Sequence, residues 1–323
     1  MLFLSNMSPP KVWQTFRTWL ERWRRPLRLL ATLAGGFFIL FFFWYIIQEF
    51  RASGYDLWDL LKQIGWSTLG ILFLIYFVAL VLAVWVWGNM MNQVATPLPS
   101  RTHWYIYTIT NVTQRLPGSL WHVAGRTVLY HQHGIARRAV ALVSGLQIAL
   151  MMMSGALVSL FLWPTIANHF EGQWQGVLLM GGTLLGGMIL LHPASWQQFR
   201  KLSGGDTEHA QAFSAKNRLT WLLAYSVVWI VGGLNVVFLA NALYPLPLSV
   251  WPAIIAAWVL SSLLGLLIMI LPSGLGVSEL SLTLLLSFYM PTPLAALVAI
   301  ANRFIYTLFE LLFAVIFWLG YRY

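Results

Sequence analysis

The 323 residues contain no cysteine, which excludes a disulfide framework, a thiolate nucleophile and any Cys-held metal. Charge is almost as scarce. Only 9% of residues are Asp, Glu, Lys or Arg, and just nine are acids, where a soluble domain carries about a quarter charged residues. Such a chain cannot cover a water-facing surface, so lipid must be the solvent for most of it. What fills the sequence instead is apolar: 59% hydrophobic residues, 18 Trp and a mean hydropathy of +0.73. Spanning helices need about 20 apolar residues each, which leaves only short loops and no room for a water-soluble catalytic domain. The 19 Lys and Arg are then explained by orientation in the membrane and contact with anionic lipid rather than by nucleic acid.

The opening MLFLSNMSPP followed by a basic aromatic stretch departs from a cleavable signal peptide, which would lead with its basic region. Over residues 1–28 the apolar Val12, Phe16, Trp19, Leu20, Trp23 and Leu27 recur at steps of three and four, with Lys11, Arg17, Arg24 and Arg28 on other faces. That spacing predicts an interfacial amphipathic helix on an anionic leaflet. The remainder, 29–323, reads as a single membrane domain.

Stretches nearly free of charge and long enough to span lie at about 29–50, 66–90, 139–163, 174–192, 219–243 and 294–319. Two more apolar regions, 103–131 and 249–290, are broken by Leu116-Pro117-Gly118 and Leu271-Pro272-Ser273-Gly274. Pro and Gly in mid-segment predict re-entrant helical hairpins rather than straight helices. Two full crossings at 249–271 and 275–290 would leave the topology's parity unchanged. The fold expected is an all-α polytopic membrane protein with about six transmembrane helices and two inverted re-entrant hairpins. With the N-terminus inside, 16 of the 19 basic residues fall on inside segments; only Arg51 and Lys62 lie outside, and Arg303 sits within a span. This places both termini in the cytoplasm.

The two breaks are 155 residues apart, and the same offset lays 66–90 on 221–245 and 139–163 on 294–318. The chain therefore reads as an internal repeat, one copy at about 29–165 and the other at about 174–320. Its unit has an odd number of crossings, so the second copy enters the membrane inverted. Inverted repeats with broken helices meeting near the midplane are a sequence pointer to a transporter site.

At each break a restarting helix offers unpaired N–H groups and a partial positive charge. Gly118, Gly274 and Gly276 permit close backbone approach, so two helix starts could converge on one anion such as a phosphate. Arg115 and Arg126 flank the first break, Glu279 follows the second, and Arg303 and Glu310 lie inside the last span. Each would cost roughly 2.5–3.5 kcal/mol or more facing lipid, so each is expected to face protein, water or ligand. Arg303, Tyr306 and Glu310 share one helix face. Two readings follow: a cavity for an anion, or buried pairs in which the acids neutralise the arginines and hold the halves together.

QRLPGSLWHVAGRTVLYHQHGI and LPSGLGVSELSLTLLLSFYMPTPLAALVAIANR resemble the paired signatures of the lysylphosphatidylglycerol synthase transmembrane family, also called flippase-like. Pro117, Gly118, Arg126 and Gly134 match the first signature; Pro272, Gly274, Gly276, Glu279, Pro293 and Arg303 match the second. The resemblance runs from about residue 30 to 320. It implies a lipid flippase moving phosphate-bearing lipids, either aminoacylated phosphatidylglycerol or a lipid-linked sugar, between leaflets. Together with the charge cluster read above, it leads to an expected substrate site of Arg115, Pro117, Gly118, Arg126, Gly274, Gly276, Glu279, Arg303 and Glu310. That family usually carries an acidic and basic cluster in the span after the first hairpin. This chain has Ser144, Gly145, Leu146 and Gln147 there, without the acids that a cationic headgroup wants. The soluble aminoacyl-transfer domain of full-length synthases is absent, so this chain would not make the lipid.

Other signals are weaker. His131 and His133 point in different directions on a helix and have no Cys, Asp or Glu near them, so no metal or other cofactor is expected. Ser273 with His122 would be a poor intramembrane protease, since the Pro-rich context argues for a helix break. Gly182 and Gly186 suit close helix packing, within the bundle or in a homodimer. The expected role is transport of an anionic phospholipid or polyprenyl-phosphate lipid across the plasma membrane, not catalysis. The rivals are an integral-membrane transferase on a lipid-linked substrate and an anchor subunit for a separate glycosyltransferase or synthase.

Overall fold

The computed structural model describes residues 51–113, 121–170, 215–267 and 276–322, with scattered positions at 44–48 and 176–186. The expected interfacial helix at 1–28, most of the spans at 29–50 and 174–192, and both Pro-Gly breaks lie outside the described residues. Within them the chain is helical and no strand occurs. The helices are α1 (Leu57–Gln63), α2 (Trp66–Val94), α3 (Ser100–Thr113), α4 (Trp121–Gln132), α5 (Arg137–Leu162), α6 (Ala215–Leu243), α7 (Trp251–Leu267), α8 (Val277–Leu286) and α9 (Thr292–Arg322).

Five helical stretches among the described residues are long and apolar enough to cross a bilayer: Trp66–Val94, Arg137–Thr165, Ala215–Leu243, Leu248–Leu267 and Thr292–Tyr321. Four coincide with spans expected from charge-free runs. The fifth is the first arm of the region expected to be a hairpin at 249–290, and its 20 residues reach about 30 Å, the thickness of the hydrocarbon core. The arms α3 and α4 of the first broken region have 14 and 12 residues, about 21 and 18 Å, too short to cross alone. With seven residues, α1 is too short to cross a bilayer. Asp56 caps it by accepting from the N–H groups of Trp58 and Asp59 at 2.7 and 3.2 Å, a common helix-start device.

Shifted by 155 residues, α2, α3, α4 and α5 fall on α6, α7, α8 and α9. The neighbour relations exchange in the same way: α3 packs on α9 as α7 packs on α5, and α4 lies on α5 as α8 lies on α9. Within these pairs, α2 and α6 run in opposite directions, as do α5 and α9. At the end of α2 and the start of α6, Trp221 Nε1 donates to Asn89 Oδ1 at 3.0 Å and Asn217 Nδ2 to Gln93 Oε1 at 3.2 Å. Just before α5, His133 Nε2 meets Tyr321 Oη near the end of α9 at 2.8 Å, whereas Tyr289, before α9, donates to the Thr165 carbonyl beyond α5 at 3.3 Å. These are the relations an inverted repeat requires.

Two apolar cores result. One gathers buried residues of α2, α3, α4 and α5 with Trp221 and Tyr225 of α6 and Phe313 of α9. The other gathers α6, α7, α8 and the start of α9 with Leu72 of α2 and Val158 of α5. Each core thus borrows from helices of the opposite half, which leaves polar side chains facing one another between the two. Outward-facing Phe161 and Phe304 are 83% and 67% exposed, a cost in water that lipid removes. Met153 of α5 would be met by any Cβ added at Gly186, so that glycine serves packing inside the bundle.

Candidate functional site

Between the two cores lies a cavity of about 430 Å³, lined from both halves. Arg126, Glu279, Arg303 and Glu310 all line it, as do Tyr306, Asn111, Gln147 and Tyr107. Four of the five charged residues expected at the site are therefore brought together from α4, α8 and α9. Gly276 lies at the start of α8. Arg115, Pro117, Gly118 and Gly274 lie outside the described residues.

Arg126 is 1% exposed. Its guanidinium carbon sits 4.2 Å from the ring centre of Trp87 and 4.4 Å from that of Tyr107, so α2 and α3 each supply an aromatic face. At its edge Nε donates to Thr110 Oγ1 at 3.2 Å and Nη1 to Gln147 Oε1 at 2.5 Å. The acceptors are well fixed. Thr110 gives its own hydroxyl proton to the Ile106 carbonyl at 2.7 Å, and the Gln147 amide donates to Tyr107 Oη at 3.2 Å. Every one of these partners is neutral. Aromatic faces are worth up to about 2 kcal/mol each when desolvated, but they leave the positive charge in place. Among the described residues no carboxylate lies within ion-pair distance of Arg126.

Behind Trp87 a hydrogen-bond chain locks the stack. Trp87 Nε1 donates to Tyr130 Oη at 2.7 Å, Tyr130 Oη lies 2.7 Å from His103 Nδ1, and His103 Nε2 lies 2.9 Å from Asn92 Oδ1. Asn92 Oδ1 also accepts from the Leu98 N–H at 3.0 Å, which identifies it as the oxygen and makes His103 Nε2 the donor. The imidazole is then neutral, with Nδ1 accepting from the tyrosine. Burial pushes its pKa down to about 4, consistent with that tautomer. Burial likewise raises the Tyr130 phenol.

Arg303 stands in a different situation. Its Nη1 pairs with Glu279 Oε1 and lies 3.4 Å from Ser278 Oγ. The other Glu279 oxygen accepts from the Gly276 N–H at 2.7 Å and from Ser278 Oγ at 3.1 Å. The acid three positions into α8 thus caps the helix start and neutralises the arginine of α9 together. Gly276 holds φ +87°, a region that side chains with a Cβ rarely enter. For this pair the reading as a buried pair between helices is realised.

Glu310, on the face shared with Arg303 and Tyr306, accepts from Asn111 Nδ2 of α3 at 3.3 Å. Tyr306 Oη donates to the Gly232 carbonyl at 3.1 Å and accepts from Asn235 Nδ2 at 3.2 Å. The polar stripe expected on α9 therefore does face the bundle interior. His131 and His133 are held by the backbone carbonyls of Ile135 and Leu129, and no cluster of metal-ligating side chains occurs among the described residues. The residues that sequence reasoning missed are those around Arg126: Trp87, Tyr107 and Thr110. Nothing in the local sequence marks Trp87 as different from the other tryptophans. Gln147 stood out only as a departure from a pattern.

No family model matches the sequence, and no curated protein aligns with it significantly.

Proposed function

We propose that the chain is a lipid transporter which passes an anionic, phosphate-bearing headgroup through the cavity between its halves while the hydrocarbon tails stay in the bilayer. The observation that carries this reading is Arg126, a buried cation at the cavity whose described partners are all neutral. Burying an unmatched charge is costly, and a bound anion offsets that cost while the aromatic and amide contacts hold the guanidinium in place. The substrates this fits are a lipid-linked sugar or a modified phospholipid. The likeness of the two break motifs to the lysylphosphatidylglycerol synthase transmembrane family points the same way.

In this mechanism the two halves, related as inverted repeats, rock about the fixed site and expose it to one leaflet and then the other. The Glu279–Arg303 pair ties α8 to α9 so that they move together, and the Asn111–Glu310 contact joins the halves where they meet. The protein sits in the plasma (cytoplasmic) membrane as a multi-pass protein with both termini in the cytoplasm, as the basic residues favour. Reconstitution in liposomes with headgroup-labelled lipids tests the proposal: the unmodified headgroup should cross leaflets, and Arg126→Ala should stop it. A headgroup that is chemically altered would indicate a transferase. No crossing with any anionic lipid would leave an anchor role for a separate enzyme.

A further inference from the structure

We infer that Tyr225 of α6 is a second anion-binding residue of the cavity: its hydroxyl donates to the phosphate group that Arg126 holds, so that the bound headgroup bridges the two halves. The inference rests on the transport reading and adds to it a ligand contact from the opposite half.

Trp221, Tyr225 and Trp229 follow one another at four-residue steps along one face of α6, and all three are buried. Each has a polar tip, and a buried aromatic tip ordinarily finds a hydrogen-bond partner. Trp221 Nε1 donates to Asn89 Oδ1, and Trp229 Nε1 donates to the Met151 carbonyl at 2.9 Å and lies 3.2 Å from Ser154 Oγ. Tyr225 is 1% exposed, yet its Oη has no partner among the described residues. Tyr107, Arg126 and Gln147 act on it electrostatically, but the Gln147 amide is already engaged, Oε1 with Arg126 and Nε2 with Tyr107.

A buried hydroxyl without a partner costs its full desolvation penalty, whereas phenylalanine would fill the same space without that cost. Native structures hold few such groups. Ser159 and Thr283 also bury hydroxyls with no partner among the described residues, but neither lines the cavity, and Tyr225 does. Arg126, at the same cavity, uses Nε for Thr110 and Nη1 for Gln147, and its Nη2 donates to nothing among the described residues. The acceptor that suits a guanidinium N–H and a phenol O–H together is an anionic oxygen. Both residues are 1% exposed, so an anion reaches them only when the halves part. Once held by Arg126 of the first half and Tyr225 of the second, it draws the halves together.

The test uses the purified chain in a maltoside detergent, which carries no phosphate, with phosphatidylglycerol and a polyprenyl phosphate as lipid probes. Retained lipid is read by native mass spectrometry and binding by thermal stabilisation. Glycerophosphoglycerol and inorganic phosphate are the soluble arms: a response to the lipids alone identifies a lipid headgroup, and a response to the soluble probes alone identifies a free phosphate and overturns the transport reading. Tyr225→Phe should weaken binding of the probe that the wild type holds by about tenfold or more, the scale of one hydrogen bond to a charged group. Its melting temperature without ligand should stay the same or rise. Tyr130→Phe is the contrast, since it removes a hydroxyl engaged with Trp87 and His103, and its melting temperature without ligand should fall. If Tyr225→Phe binds as the wild type does and only Arg126→Ala loses the lipid, the role of Tyr225 is overturned and the transport reading stands. A lowered melting temperature for ligand-free Tyr225→Phe would show that the hydroxyl serves the fold, which also overturns that role. If the wild type responds to no probe, both readings fall.

Discussion

Asn111 and Glu310, 199 positions apart, meet across the two halves through a 3.3 Å hydrogen bond from the amide to the carboxylate. The bond joins the short α3 of the first half to the long α9 of the second, at the cavity that Arg126 and Arg303 also line. Its counterpart in the exchanged pair of helices is apolar. There Gly155 of α5 lies against Leu263 of α7. The two halves share a plan of helices, but the polar groups at their junction are not copies, so the charge of the cavity is a property of the assembled bundle.

Arg126→Lys should fail in transport almost as fully as Arg126→Ala, with headgroup crossing reduced about tenfold or more. An ammonium lacks the planar, forked set of donors with which the guanidinium meets the Trp87 and Tyr107 rings and also serves Thr110 and Gln147. Crossing rates in proteoliposomes check this, and retention of near-normal rates by the lysine variant would show that charge alone suffices.

Glu279→Ala removes both the cap of α8 and the partner of Arg303. Removing one member of a buried pair costs roughly 3–5 kcal/mol, so the variant should melt well below the wild type in detergent. Adding Arg303→Gln should recover part of the loss, because the stranded cation goes with it. A double variant no more stable than Glu279→Ala would mean that the cap, not the pair, carries the effect.

Gly276→Ala forces a Cβ into a backbone at φ +87°, with an expected loss of roughly 1–3 kcal/mol. Ala substitution at Gly70, which has open space around it and no positive φ, is the control. Equal melting temperatures for the two variants would contradict the requirement for glycine at the start of α8.

His103 gives the fold a pH dependence. Its folded pKa of about 4 lies below the ordinary 6.5, so the unfolded chain takes up a proton first as pH falls. Stability from this group is complete above about pH 6.5 and declines toward pH 4. Melting temperature measured across that range should fall on the acid side, and His103→Gln should flatten this part of the curve. An unchanged slope in the variant would assign the acid sensitivity to other groups.

Much of the architecture was legible in the sequence because hydrophobicity over about 20 residues is a local property. The runs at 66–90, 139–163, 219–243 and 294–319 became α2, α5, α6 and α9 with ends shifted by a few residues. The stripe of Arg303, Tyr306 and Glu310 was readable too, since helical spacing alone puts them on one face. Less legible was the first arm of the second broken region, where a Pro-Gly break suggested a hairpin but α7 is long enough to cross.

Taken alone, the amino-acid order determined the solvent, the helices and the presence of a few charges too costly to face lipid. Only the tertiary structure decided which charges are matched. Glu279 goes to Arg303, 24 residues on, whereas Arg126 receives Thr110, Gln147, Trp87 and Tyr107. The reason is physical: helical periodicity fixes which side of a helix a residue faces, but the partner waiting there belongs to another helix, and its distance depends on how the whole bundle packs.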